Sequence, residues 1–249
     1  MQYKLIKCGE KDSTINFPHP DDEKRWRIQR KLQGEGWKYR SLHKKNPIYF
    51  NKNSMGYRTH EFDFENDDKY ILALGCSNTY GLYLHEEERY SNLIEEATGI
   101  KTYNLGICGG SSNIIMMNLL KFLHTSPKKP DAVLIQWPEH MRICLPFTEP
   151  HIGVFNIRAS TRRKIKRSSV FEQFVKHGNV IETHSQWAKD TTFEILKSFS
   201  IKNISFSKDE EDSIFYDIPY VSKVDKAYDD KHNGTETNKN ISKFILENL

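Results

Sequence analysis

Apolar residues are grouped along the chain into short runs separated by turns and amphipathic segments. The first clear run is Tyr70–Leu74, in which apolar and polar positions do not alternate. A run of this length is typical of a strand buried on both faces of a parallel sheet. It ends in the small residues Gly75-Cys76-Ser77, which permit a sharp turn. The pattern therefore places Ser77 at the carboxyl end of a central strand, the edge where open α/β sheets bind ligands.

The pattern of strand, turn and helix then recurs. It predicts a helix over 86–98 that Gly99 stops, a strand over 100–104, a glycine-rich turn over 105–112, a helix over 113–124 and a third strand over 131–137. Three strands in succession, the first two each followed by a turn and a helix, predict a parallel sheet covered by helices.

The C-terminal half is less regular. It predicts a helix over 180–198, a fourth strand over 201–206, an acidic loop over 208–212 and a fifth strand over 213–220. After Gly234 a final helix runs to the C-terminus. Its apolar positions share one face, by which it can pack on the sheet: Ile241, Phe244, Ile245 and Leu249.

Residues 1–66 are polar and predict one helix, which has a capped, acidic start at Pro20–Glu23 and continues from Arg25 to Leu32. The segment 49–58 mixes aromatic and turn residues, which favours an irregular arm. We interpret 1–66 as an N-terminal extension that covers the sheet of a main domain at 67–249. The alternative is an arm that contacts the substrate.

The chain has 249 residues, of which 37% are hydrophobic, enough for one large domain with an extension. The net charge of +4 is too small to indicate nucleic acid binding without a focused patch. The basic stretch Arg158–Arg167 is interpreted as a solvated face. The alternative for that stretch is a site for anionic partners.

The four cysteines, Cys8, Cys76, Cys108 and Cys144, follow no metal-binding spacing, so we expect free thiols in a reducing compartment. The N-terminus has no apolar signal region, and no apolar stretch approaches the roughly 18 residues that span a bilayer. We therefore expect a cytoplasmic protein without a membrane span.

A serine at a strand-to-helix turn becomes a nucleophile only with a base nearby, and that base needs an orienting acid. His232, with Asp229 three residues before it, supplies both, and Asp230 is the rival acid. The backbone amides of Ser77 and Gly109 are candidate oxyanion donors. A phosphate cradle at the second turn is disfavoured, because the lysine of a P-loop and the spacing of a dinucleotide fingerprint are missing.

These three segments together resemble the SGNH (GDSL-like) hydrolases. Gly75-Cys76-Ser77 is similar to their first block, Asn104–Gly109 to their second, and Asp229–His232 to their last. The resemblance implies a three-layer α/β/α, flavodoxin-like fold with a central, mostly parallel five-stranded sheet. It also implies hydrolysis of esters, often acetyl groups on carbohydrates, without a metal or a cofactor.

The chain departs from the family pattern in two places. Cys76 stands where the family has an aspartate before the serine, which leaves Cys76 itself as an alternative nucleophile. Where the family has a glycine and an oxyanion asparagine after the third strand, this chain has Gln136–His140. Spacing puts His140 nearest the asparagine position, and a neutral imidazole N–H could donate there. Glu139 would repel an oxyanion.

The expected function is therefore that of a serine hydrolase with the triad Ser77, Asp229 and His232, acting on a small ester or an acylated glycan. One alternative is a non-catalytic structural or glycan-binding protein, for example a virion component, on the same fold. A second alternative is an O-acyltransferase that keeps the triad and changes the acceptor.

Overall fold

The sheet is built around strand β1, Tyr70–Gly75, whose six residues are all buried, as the unbroken apolar run predicts. It pairs in parallel with β2, Lys101–Asn104, on one side and with β3, Ala132–Trp137, on the other. Strand β4, Lys202–Ser207, pairs in parallel with β3. The order β2-β1-β3-β4 is the start of a flavodoxin-like sheet, so the predicted parallel sheet is confirmed.

This computed structural model describes residues 50–65, 69–143, 179–227 and 231–249. Several sequence predictions lie outside these ranges: the helix Arg25–Leu32, the basic stretch Arg158–Arg167, Cys8, Cys144, and the two candidate acids Asp229 and Asp230. Cys76 is buried and Cys108 is exposed, and neither forms a disulfide with another described residue. Among the helices within these ranges, none combines the length and the apolar character that crossing a membrane needs.

The α-helices of the described residues are α1 Ser77–Tyr80, α2 Tyr90–Thr98, α3 Ser112–Thr125, α4 Asn179–Ser198, α5 Glu210–Tyr216 and α6 Thr235–Asn248. Of these, α3, α4 and α6 begin and end close to the predicted positions. The helix predicted over 86–98 is divided, because Glu86–Glu88 forms a separate 3₁₀ turn and Arg89 has extended backbone angles.

Alternate residues of β1 face opposite layers of helices. Leu72 and Leu74 belong to a buried cluster that includes side chains of α3 and α4. Ile71 and Ala73 belong to a second cluster, with side chains of α2 and α6. Helices therefore cover both faces of the sheet, and the expected three-layer α/β/α architecture is confirmed.

The predicted fifth strand over 213–220 is wrong. The first half of that segment, residues 213–216, belongs to helix α5, and the described residues form a four-stranded sheet. The acidic residues interpreted as a loop, Glu210, Glu211 and Asp212, form the first turn of α5, where negative charge stabilises the positive end of the helix dipole. Tyr220 makes only an isolated parallel bridge to Ser207.

Residues 50–65 run without a helix or strand and pack against the main body. The Tyr57 side chain is fully buried, and its hydroxyl donates to Asn118 Oδ1 of α3 at 2.8 Å. Phe64 lies 5.4 Å from the Tyr70 ring and 5.8 Å from the Tyr103 ring, measured between centroids. This part of the arm therefore closes one edge of the core, and the role of the extension as a whole stays a prediction.

Glu95 of α2 joins the arm to the sheet edge. Its carboxylate lies 3.1 Å from His60 Nε2 and 3.4 Å from Lys101 Nζ, and it accepts a 2.9 Å hydrogen bond from the Thr102 N–H. Partial burial alone raises the pKa of Glu95. The hydrogen bonds from His60 and Thr102 and the nearby positive charges outweigh it and lower that pKa from 4.5 to about 2.

We expect Glu95→Gln to lower the free energy of unfolding at neutral pH, because the charged form of Glu95 is favoured in the folded state. A carboxylate with a depressed pKa contributes its full stabilisation above its unfolded value and loses it as the pH falls toward its folded value. The difference between wild type and variant should therefore shrink below pH 4.5 and vanish near pH 2. Urea denaturation at a series of pH values measures this difference.

Glu96→Gln, which changes an exposed neighbour on the same helix, is the matched control and should follow the wild-type profile. A difference between wild type and Glu95→Gln that does not change with pH would contradict the assignment.

Candidate active site

Ser77 is the first residue of α1 and directly follows the turn at the end of β1. Cys76, the residue before it, has extended backbone angles, and Gly81 ends the helix with φ +72°. The N–H groups in the first turn of a helix have no acceptor within the helix, so the Ser77 amide can donate outward. The Ser77 side chain is half-buried at the carboxyl edge of the sheet.

A buried chain of hydroxyls and an amide supports α1 from below. The Tyr90 hydroxyl donates to Thr79 Oγ1 at 3.1 Å, and the Thr79 hydroxyl donates to Gln136 Oε1 at 3.2 Å. Burial raises the pKa of Tyr90, so its hydroxyl keeps its hydrogen. These two hydrogen bonds connect α2, α1 and β3 and hold the serine turn in place against the sheet.

His232 lies in a loop held at both ends. Lys226 and Asn233 form an antiparallel bridge, and the Ala227 N–H donates to the His232 carbonyl at 3.0 Å. The Asp225 carboxylate accepts hydrogen bonds from the N–H groups of Glu236 at 3.0 Å and Thr237 at 2.7 Å, at the start of α6. The loop is therefore anchored to the helix that follows it.

The structure brings His232 and Ser77 together across 155 residues of sequence: His232 Nε2 lies 2.9 Å from Ser77 Oγ. The residue after each of them makes a second bond between the same two segments, because the Asn233 N–H donates to Asn78 Oδ1 at 3.0 Å. Asn78 was not identified from the sequence as a site residue, since nothing in the local pattern shows which distant amide it meets.

The orienting acid lies outside the described residues. Both candidates, Asp229 and Asp230, fall in the gap between Ala227 and Lys231. Asp229 as the partner of the second imidazole nitrogen therefore stays a prediction.

The second glycine-rich turn lies against the first. The Leu105 N–H donates to the Ala73 carbonyl at 2.8 Å, and the Ile107 N–H donates to the Gly75 carbonyl at 3.0 Å. These bonds extend the pairing of β1 and β2 beyond the strands. Gly109 follows with φ +77° in a turn closed by the 2.8 Å bond from the Gly110 N–H to the Ile107 carbonyl. Gly109 thus lies in the turn beside the serine, and its role as an oxyanion donor stays a prediction.

Asn104, at the end of β2, ties the two turns together. Its Nδ2 donates to the Thr79 carbonyl at 2.6 Å, and its Oδ1 accepts from the Gly106 N–H at 2.9 Å. Asn104 had no role in the sequence analysis except as the first residue of the segment Asn104–Gly109. A polar residue at the end of a predicted strand, two residues before a glycine, is the signal that could have found it.

His140 faces Asp212 of α5. Its backbone N–H and its Nδ1 lie 2.8 Å and 2.7 Å from the same oxygen, Asp212 Oδ1, and its ring stacks on Phe215 at 4.4 Å. Burial raises the pKa of Asp212 above its ordinary value, although both hydrogen bonds from His140 act to lower it. With an ionised Asp212, a neutral His140 carries its hydrogen on Nδ1 and only a lone pair on Nε2. A neutral ring then has no N–H left for an oxyanion, and only the imidazolium could donate.

Glu139 lies between two cationic side chains. Their charges offset the repulsion of an oxyanion that was expected from Glu139. It forms an ion pair with the buried Arg142, and its other oxygen lies 3.6 Å from Lys208 Nζ. Arg142 Nη1 also donates to the Gly110 carbonyl at 3.2 Å. Arg142, which the sequence analysis did not identify, therefore connects the loop after β3 to the second glycine-rich turn.

No family model matches the chain, and no curated protein matches it. A lipolytic protein of the G-D-S-L family from Veillonella parvula and AlinE4, an SGNH-hydrolase family esterase, are among the solved structures that are similar to it. The crystal structure of TesA is also similar, with a TM-score of 0.47 at 10% identity, over 72% of this chain and 97% of that one.

Two further similar structures are of bacterial proteins. The acetyl xylan esterase Est2A of Butyrivibrio proteoclasticus has a TM-score of 0.45 at 9% identity, over 82% of this chain and 66% of that one. A lipolytic protein of the G-D-S-L family from Desulfitobacterium hafniense DCB-2 has a TM-score of 0.41 at 13% identity, over 73% of this chain and all of that one.

We expect Gly106→Ala to displace the second turn from the first. A Cβ at residue 106 would lie 2.4 Å from the Tyr80 nitrogen, a backbone atom that cannot move alone. The variant should lose both stability and hydrolytic activity, measured by urea denaturation and by turnover of an activated acetyl ester.

Gly99→Ala is the matched control. Gly99 has a φ of +68°, which strains an alanine, but a Cβ there would meet nothing within 4 Å. The control should lose about 1 kcal/mol of stability and keep its activity. Equal activity in the two variants would contradict the close approach of the turns.

Proposed function

We propose that the protein is a serine hydrolase of carboxylic esters that works through an acyl-enzyme on Ser77. The observation that carries the proposal is the 2.9 Å contact between Ser77 Oγ and His232 Nε2 at the carboxyl edge of the sheet. A hydroxyl and an imidazole at this distance have the geometry of a nucleophile and its general base.

The reaction runs in two halves. His232 Nε2 takes the hydroxyl proton of Ser77 while Oγ attacks the ester carbonyl, and the imidazolium then gives that proton to the departing alcohol. A water molecule next loses a proton to His232 and attacks the acyl-enzyme. The acid leaves, and the proton returns to Ser77 Oγ. Asp229 is the proposed partner that orients His232.

The identity of the nucleophile is supported by the surroundings of the neighbouring thiol. The Cys76 side chain is 1% exposed, and its Sγ lies 3.9 Å from Asn78 Nδ2. A thiol enclosed by protein in this way cannot reach the carbonyl carbon of a substrate. We therefore propose Ser77 rather than Cys76 as the attacking group.

Two backbone amides are proposed to hold the oxyanion, those of Ser77 and Gly109. Removing one donor from an oxyanion hole typically costs about 10²–10³ in turnover. Since the family's asparagine is replaced here, we expect a modest rate. The substrate that the sequence resemblance suggests is an acetylated carbohydrate.

We expect Ser77→Ala and His232→Ala each to reduce turnover of an activated acetyl ester by about 10³-fold or more, because the two groups act as a unit. The wild type should release the alcohol in an initial burst when hydrolysis of the acyl-enzyme is slower than its formation. Stopped-flow absorbance measures the burst.

The matched controls are Ser198→Ala and His124→Ala, both exposed residues on helices away from the site, and these should keep wild-type turnover. Full activity in either site variant would remove the proposal.

A non-catalytic, glycan-binding protein is the second candidate. The observation that favours it is the loop after β3, where His140 Nδ1 contacts Asp212, so that a neutral ring beside an ionised Asp212 has no N–H for an oxyanion. We expect a serine-directed organophosphonate to label the wild type and leave Ser77→Ala unlabelled, as measured by intact-protein mass spectrometry. A wild type that binds acylated glycans but takes no label would support the non-catalytic candidate.

A further inference from the structure

The loop that follows α1 returns past the imidazole of His232. The Leu82 N–H donates to the Ser77 carbonyl at 3.0 Å, so the loop is bonded to the serine residue itself. Tyr83 has φ +64°, and its ring centroid lies 5.8 Å from that of His232. A tyrosine with positive φ is an unfavourable conformation, which persists only where its surroundings impose it.

Arg58, from the N-terminal arm, supplies that constraint. Its Nη1 donates to the Gly81 carbonyl at 2.5 Å, and its Nη2 donates to the Leu84 carbonyl at 2.8 Å. The two acceptors flank Tyr83 in the sequence. One planar guanidinium thus joins both ends of a short loop, which a single ammonium group could not do with the same geometry.

The Arg58 side chain is enclosed by protein and is only 1% exposed. The Phe50 ring lies 4.5 Å from its guanidinium carbon. Arg89 Nη1 donates to the Arg58 carbonyl at 2.5 Å, which fixes the backbone of the arm at this point. Arg58 therefore cannot reach a substrate, and any effect on the reaction must pass through the loop that it holds.

We propose that Arg58 is a positioning residue of the active site and that it acts by holding Tyr83 against the imidazole of His232. The inference deepens the proposed hydrolase function and rests on it for its effect on turnover. It makes the N-terminal arm a part of the catalytic apparatus without giving it any contact with the substrate. The position of the His232 ring relative to Tyr83 can be measured without catalysis, from the proton resonances of the ring.

The test compares Arg58→Lys with Tyr83→Gly and with the double variant. The imidazole proton resonances of His232, identified by their absence from the spectrum of His232→Ala, carry the ring-current shift of Tyr83. Arg58→Lys should move them toward the positions found in Tyr83→Gly. In kinetics with a small acetyl ester, each single variant should lower kcat by about tenfold and leave KM nearly unchanged, because geometry at the reacting atoms is altered.

The double variant separates positioning from general destabilisation. With the Tyr83 ring already removed, Arg58→Lys should cause almost no further loss of kcat, whereas independent effects would multiply. Tyr83→Gly should fold normally, since glycine tolerates the positive φ. Glu95→Gln, which weakens the arm at its other attachment, should leave both kcat and the His232 resonances as in the wild type.

Unchanged His232 resonances in Arg58→Lys would overturn the inference, and so would multiplicative losses of kcat or an equal loss in Glu95→Gln. Failure of the proposed function has a different signature. The wild type would then show no ester turnover and no organophosphonate label, while the His232 resonances would still report whether Arg58 holds Tyr83 in place.

Discussion

Parallel pairing of β1 on both of its edges is the constraint on which the rest of the molecule depends. Because β2 and β3 flank it in register, all three strands end at the same rim, with Gly75 beside Gln136. The pairing then continues beyond β2 through the Leu105 and Ile107 amides. Two glycine-rich turns are thereby brought side by side before any side chain contributes. The proposed chemistry needs this backbone arrangement first and the identity of Ser77 second.

Much of the fold could be predicted from the sequence, because local patterns determine it. Strands β1 and β3 are short runs with apolar character, whereas β2 and β4 mix polar and apolar residues, and Gly99 and Gly234 mark helix boundaries. The segment 213–220 misled the prediction, since Ile214, Phe215 and Tyr216 resemble a strand. The three acidic residues before them favour a helix, and that preference prevailed.

The candidate site likewise contains residues that could be identified from the sequence and residues that could not. Ser77 and His232 could be identified because a nucleophile and a base follow recognisable turn patterns at the ends of elements. Arg58, Asn78 and Arg142 could not, since their partners are backbone carbonyls or amides in other parts of the chain. A side chain's partner across 20 or more residues is a property of the packed molecule, and no local pattern in the sequence encodes it.

The hydroxyl and amide chain beneath α1 has a consequence for how such a sequence can vary. Tyr90, Thr79 and Gln136 lie on three separate elements, and each of their described bonds needs the neighbouring member. Loss of one member would leave a buried polar group without its partner, which is more costly than replacing the whole set by apolar groups of similar shape. In related chains these three positions should therefore change together, so that covariation among them would mark descent from the same arrangement beneath the serine turn.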